Sequence, residues 1–156
     1  MPKIPIPQSG WHAVGLTDLD FVDPSCTRRL KCDRCNHRLR YVHHLEHPKR
    51  SKRLGVGACC AVQLATGYKA KDLEYETAKR TARLLRFLNP TQWRHNPAKG
   101  SLTRKRKGTR VTVFPQHGGY VYVFDKNFSP RAYATQTEAQ IAAFEAMDPA
   151  PTVTNA

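Results

Sequence analysis

Four of the chain's five cysteines lie between positions 32 and 60, in CDRCNHRLRYVHHLEHPKRSKRLGVGACC. Cys32-Asp-Arg-Cys35 has the spacing at which a tight turn points two thiolates at one tetrahedral ion. RLRYVHHLEH then alternates as a strand, PKRSKR turns, and RLGVG returns, so the pair reads as a β-hairpin with a long basic tip. CCAVQLATG starts a helix that Gly67 closes. Cys60 enters this helix and is the expected third ligand. The fourth is Cys59 or, alternatively, His43, which shares a strand face with Leu39, Tyr41 and Leu45; His47 is a weaker candidate. The ion this donor set implies is a structural Zn2+. The competing readings are unligated thiols or a redox couple. A thioredoxin-type pair, however, opens a helix in a βαβ setting, whereas CDRC leads into a strand. Cys26 lies outside the module and reads as a free thiol. His12, His37, His44, His95 and His117 read as surface or packing residues.

The order knuckle, hairpin, helix resembles the treble-clef type of zinc finger. From Gly10 to about Ala70 the chain also resembles small zinc-finger proteins of bacterial and phage genomes. Their pattern is C-x-x-C-G, then RYVHxLEHP, then VG-C-x-C-A. Cys32, Cys35, Arg40-Tyr41-Val42-His43, Leu45-Glu46-His47-Pro48, Val56-Gly57, Cys60 and Ala61 are in register with it. Asn36 replaces its glycine, and Ala58-Cys59 replaces its C-x. The resemblance implies a zinc-bound fold and, by itself, no activity.

The remainder divides by composition and period. Residues 1–31 recur in proline and read as an extended arm, with Trp11, Leu16, Leu19 and Phe21 available to lie against a core. Residues 32–70 are the zinc-binding module. Residues 71–89 are a connecting helix with a stripe at Leu73, Thr77, Ala78, Ala82, Leu85 and Leu88; Asn89-Pro90 stops it. Residues 90–110 lack acid altogether and read as a basic loop. Residues 111–148 hold RVTVF, a QHGG turn, YVYVF, RAYA as a possible third strand, and a helix opened by the capping pattern Thr135-x-x-Glu138. Tyr133, Thr135, Glu138 and Ala139 also fit the [FY]-x-T-x-x-EA pattern of the sheet-plus-helix DNA-binding modules of tyrosine recombinases, a loose similarity that implies a sheet laid in the DNA major groove. Residues 149–156 read as a disordered tail. The expected class is therefore α+β: a treble-clef-like zinc finger plus a small ββ(β)α module.

Charge argues about partners. The 156 residues carry 26 Lys and Arg against 12 Asp and Glu, a formal +14. One cluster, between positions 28 and 53, holds Arg28, Arg29, Lys31, Arg34, Arg38, Arg40, Lys49, Arg50, Lys52 and Arg53. The other, between 94 and 110, holds Arg94, Lys99, Arg104, Lys105, Arg106, Lys107 and Arg110. Such clusters neutralise phosphates and release counterions, and arginine forks onto phosphate. Arg28, Arg29, Arg34, Arg38, Arg40, Lys49, Arg50, Lys52, Arg53, Arg104, Lys105, Arg106 and Lys107 are the expected phosphate contacts. Tyr120 and Tyr122 share one strand face; they form either core or a base-stacking platform, and core is favoured because the alternative is a large exposed apolar patch.

The expected function is zinc-stabilised binding of nucleic acid, DNA or RNA, without catalysis, as an accessory subunit of a bacterial or phage nucleoprotein complex. The alternative is a module docking on an acidic protein. The third reading is a metal-dependent nuclease: HHLEH suggests an HNH-type site, but the helix after Cys60 brings no histidine and Glu46 is the hairpin's lone carboxylate. The first residues lack the apolar core of a signal peptide and no apolar run reaches membrane-spanning length, so a cytoplasmic protein with no membrane partner is expected.

Overall fold

The computed structural model describes residues 5–22 and 30–155. The protein is α+β, with two antiparallel sheets in two compact units; the boundary falls between Ala78 and Lys79, and the residues from Pro151 on belong with the first unit.

In the first unit, β1 (His12–Asp18), β2 (Tyr41–His47) and β3 (Arg50–Val56) form a sheet in that order. β1 is the main departure from the expected arm. Trp11 and Ala13 are buried, Leu16 and Leu19 pack against the same core, and Ala13 to Asp18 pair along β2. Phe21, in the short helix α1 (Leu19–Val22), is exposed instead. The tail is not free either. Val153 packs on this core, and the Asn155 amide accepts from Ala13 N (2.8 Å) and donates to Ala13 O (2.9 Å), completing a backbone edge as a strand would. The hairpin tip is only Pro48-Lys49, because Arg50–Val56 is already strand; the long basic tip does not form.

Helix α2 (Ala58–Leu64) follows β3 with Gly57 at its N-cap. A β-carbon on Gly57 would meet Leu39 Cδ2 at 2.9 Å, so a larger residue there would have to displace that buried side chain. Helix α3 (Ala70–Phe87) contributes Ala70 and Leu73 to this core.

The second unit takes the end of α3, β4 (Arg94–Asn96), β5 (Ser101–Arg106), β6 (Thr109–Gln116), β7 (Gly119–Phe124), β8 (Asn127–Phe128) and α4 (Gln136–Met147). The five strands form a meander in sequence order. The expected basic loop therefore supplies two strands. Lys107 and Gly108 both have positive φ (47° and 81°), the conformation of a tight hairpin turn, and this turn pairs Lys105 with Arg110. RAYA contributes only an isolated bridge, Tyr120 to Tyr133. On α3 the buried residues here are Leu84 and Phe87; Leu88 of the expected stripe packs against the same core, while Leu85 is exposed.

Alternation sorts the faces of this sheet. Val111, Val113 and Tyr122 are buried with Ala139, Ala143 and Phe144 of α4, and Tyr120, Phe124 and Tyr133 pack against them. The tyrosines are core and form no platform. Thr135 caps α4 by accepting from Glu138 N (3.1 Å), and the Glu138 carboxylate accepts from Ala134 N (3.0 Å).

Candidate metal centre and basic groove

The knuckle is built by its backbone. Cys32 N donates to His37 O (2.8 Å), Asn36 N donates to Cys32 O (2.9 Å), and Leu39 N donates to Leu30 O (2.8 Å). Asn36 has φ 64°, a left-handed conformation that asparagine tolerates better than other side-chain-bearing residues. This accounts for an asparagine where the resembled pattern has glycine. Asp33 ties the knuckle to β3: its N–H donates to Gly55 O (3.0 Å), and its carboxylate accepts from Gly55 N (2.8 Å).

This turn brings Cys32 and Cys35 to Cys60, in the first turn of α2. The three sulfurs lie within 4.8 Å of one another. Cys32 and Cys60 are buried and Cys35 is exposed. Burial pushes the Cys32 thiol up, but N–H groups of Cys35, Gly57 and Arg34 directed at the sulfur hold it net below its ordinary value. Burial and its hydrogen bonds to the other two thiols push Cys60 up to about 12. One thiolate is thus supported mainly by backbone N–H groups, with a hydrogen bond from Cys35, while a second in the same cluster is disfavoured without a cation beside it. The donor set fits a thiophilic metal ion, held by these three residues.

Neither residue expected to complete the set does so. Cys59 is exposed and outside the three-sulfur cluster. His43 is fully buried elsewhere, with Nδ1 2.6 Å from Tyr68 Oη and Nε2 2.9 Å from Glu74 Oε1. Burial pushes its pKa below the ordinary value, against the raising effect of Glu74. Strand alternation placed His43 inward correctly, but its neighbours there come from α3 and the turn before it. His47 packs on the Trp11 ring at 5.1 Å and accepts from Lys49 N. His44 meets Thr17 Oγ1 at 2.9 Å. Glu46 pairs with Arg53. His37 is exposed, as expected of a surface residue, and its Nδ1 lies 3.3 Å from Cys35 Sγ. Its position two residues beyond the knuckle was the available signal. Cys26, Arg28 and Arg29 lie outside the described residues.

The cationic side chains fall into two groups. Arg40 forks onto Asp18 (3.1 and 3.2 Å). Arg34 donates to Gln63, and Arg50 to Pro5 O. Arg104 donates to Arg86 O and Phe87 O (3.1 and 2.6 Å), capping α3, and its guanidinium lies over the Phe87 ring. Arg106 donates to Asp148 (2.8 Å) and stacks on Phe144. Arg40, Arg53, Arg104 and Arg106, expected on phosphates, are thus engaged within the protein, because an acid, a helix end or an aromatic ring lies within their reach. Arg38, Lys49, Lys52, Lys105 and Lys107 are exposed, and no described acidic group pairs with them.

Because Arg104 and Arg106 face the helices, Thr103 and Lys105 face the other side of β5. Their cross-strand neighbours are Arg94, Arg110 and Thr112. This side borders an open groove of about 710 Å³ lined by residues that include Arg94, His95, Thr103, Lys105 and Arg110, with Arg104 also on its wall, and by no acid. Arg94 and Arg110 carry no ion pair among the described residues. No protein-family model matches this chain, and no curated protein or solved structure matches it.

Proposed function

We propose that this chain is a zinc-stabilised, non-enzymatic nucleic-acid-binding protein. Cys32, Cys35 and Cys60 hold Zn2+ in a treble-clef-like module, and the groove beside β5 receives the phosphate backbone. The acid-free groove is the observation that carries the binding half of this reading. Arg94, Lys105 and Arg110 project from one sheet face with no acid to consume them, and the Thr103 and Thr112 hydroxyls, 3.2 Å apart, offer neutral donors between them. Shielded from acids, such cations act by charge and counterion release rather than by reading bases. Zinc compensates for the small core of the first unit. An accessory place in a bacterial or phage nucleoprotein complex is consistent with this chemistry.

The test is fluorescence anisotropy of the metal-loaded full chain with labelled duplex DNA, single-stranded DNA and RNA across a salt series. Salt-dependent binding to at least one is expected. Failure to bind any of them at low salt, with capture by an acidic protein, overturns the proposal in favour of protein docking. Cleavage abolished by chelation overturns its non-enzymatic part.

A further inference from the structure

A tetrahedral ion held by three thiolates keeps one position open unless a fourth donor fills it. Successive helical residues are about 100° apart around the axis, so Cys59 and Cys60 direct their sulfurs differently, and Cys59 stands outside the three-sulfur cluster. The ring nitrogens of His43 are both engaged, one ring nitrogen of each of His44 and His47 meets another partner, and Ala58 offers no donor. His37 differs from all of these. We propose that His37 Nδ1 is the fourth ligand, making a Cys3His zinc site from Cys32, Cys35, Cys60 and His37; this rests on the metal reading above.

Four observations support the assignment. First, Nδ1 already lies 3.3 Å from Cys35 Sγ. Ordinary zinc–sulfur and zinc–nitrogen distances at a tetrahedral angle place two such donors about 3.6 Å apart. Second, the His37 carbonyl accepts from Cys32 N, so the turn that positions the first thiol also positions this residue. Third, His37 lies outside the 4.8 Å cluster, as Cys59 does, but its side chain is exposed on that turn, so its ring can move without repacking a core. Fourth, Cys35, His37 and Cys60 line one hollow of about 640 Å³, as Cys59 also does, and its rim includes Arg34 and Lys71. Three thiolates, a neutral imidazole and Zn2+ sum to one negative charge, which those two cations offset. Without metal the Cys35 thiol can donate to Nδ1. Metal binding releases that proton and leaves the nitrogen lone pair for the ion.

The experiment compares Zn2+ affinity, by chelator competition, and Co2+ absorption for the full-length wild type and three variants: His37→Ala, Cys59→Ser and His37→Cys. Changing an outer-shell partner costs about 10–100-fold in metal affinity, so losing a true ligand in His37→Ala should cost at least about 100-fold. Cys59→Ser should stay within about twofold of wild type. His37→Cys should retain tight binding and raise the thiolate-to-Co2+ charge-transfer intensity by about one third, four thiolates replacing three. This variant keeps the test decisive if His37→Ala folds poorly. Full affinity in His37→Ala overturns the inference, whether or not Cys59→Ser loses affinity, and leaves the metal reading standing. No Zn2+ or Co2+ binding by the wild type overturns the metal reading itself.

Discussion

Replacing Arg94, Lys105 and Arg110 together by alanine separates cations that meet solvent from cations that hold the fold. These three border the groove and pair with no described acid. Each phosphate contact contributes about 0.9 to the slope of log affinity against log salt for duplex DNA, and about 0.7 for a single strand. The triple variant should therefore be flatter by about 2.7 on duplex and about 2.1 on single strands. Between 50 and 200 mM salt, wild-type duplex affinity should then fall about 40-fold more than that of the variant. Near-UV circular dichroism should be unchanged, because no internal partner is lost. Arg106→Ala is the contrast. Its guanidinium donates to Asp148 and stacks on Phe144, so it should lower the melting temperature and leave the slope of the folded protein intact. Anisotropy titrations at five or more salt concentrations read both. An unchanged slope in a folded triple variant refutes the groove as the phosphate site, and a flattened slope in folded Arg106→Ala refutes the division of the arginines.

Metal removal should unfold the first unit, because structural zinc contributes apparent binding free energy of about 10–16 kcal/mol in small modules. Trp11 and Trp93 lie in different units, so in a Trp93→Phe background chelation should red-shift the remaining Trp11 fluorescence; an unmoved spectrum contradicts the coupling. Asp148→Ala should destabilise the second unit by about 3 kcal/mol in denaturant titrations. Its carboxylate accepts from Arg83 (2.7 and 3.0 Å) and Arg106 (2.8 Å), and the Arg83 hydrogen bond is the main influence holding its pKa below the ordinary range. His43 is held neutral by burial, so the unfolded chain binds the extra proton first. The stability it contributes should be complete above about pH 6.5 and be lost as pH falls through 6.5 toward the lower folded value. Comparing melts of metal-loaded wild type and His43→Gln at pH 7.5, 6.5 and 5.5 isolates it, and equal pH dependence in the two counts against the assignment.

Local chemistry was readable wherever the backbone alone carries it. A C-x-x-C turn forces two sulfurs together, Thr135 and Glu138 announce a helix start, and Asn89-Pro90 announces a stop, each through interactions within a few residues. The metal cluster was legible for the same reason: Cys60 needs only to open the helix that follows the hairpin. Periodicity also placed His43 inward. It could not show that Tyr68 and Glu74 wait there, since both are distant in sequence and arrive through packing.

Tertiary structure decided the rest. β5 was hidden because lysine and arginine dominate it, and β4 because three polar residues carry no pattern; such strands are held by their neighbours rather than by their own propensity. The turn at Lys107-Gly108, not hydrophobicity, sets the register of β5 on β6. β1 likewise exists because β2 offers a free edge and a core for Trp11. The arginines show the limit most plainly. Lys105 and Arg106 are adjacent in one basic run and indistinguishable by charge, yet alternation sends one to the groove and the other to Asp148 and the Phe144 ring. Which face meets protein and which meets water depends on where α3 and α4 come to rest, and that is a property of the packed chain.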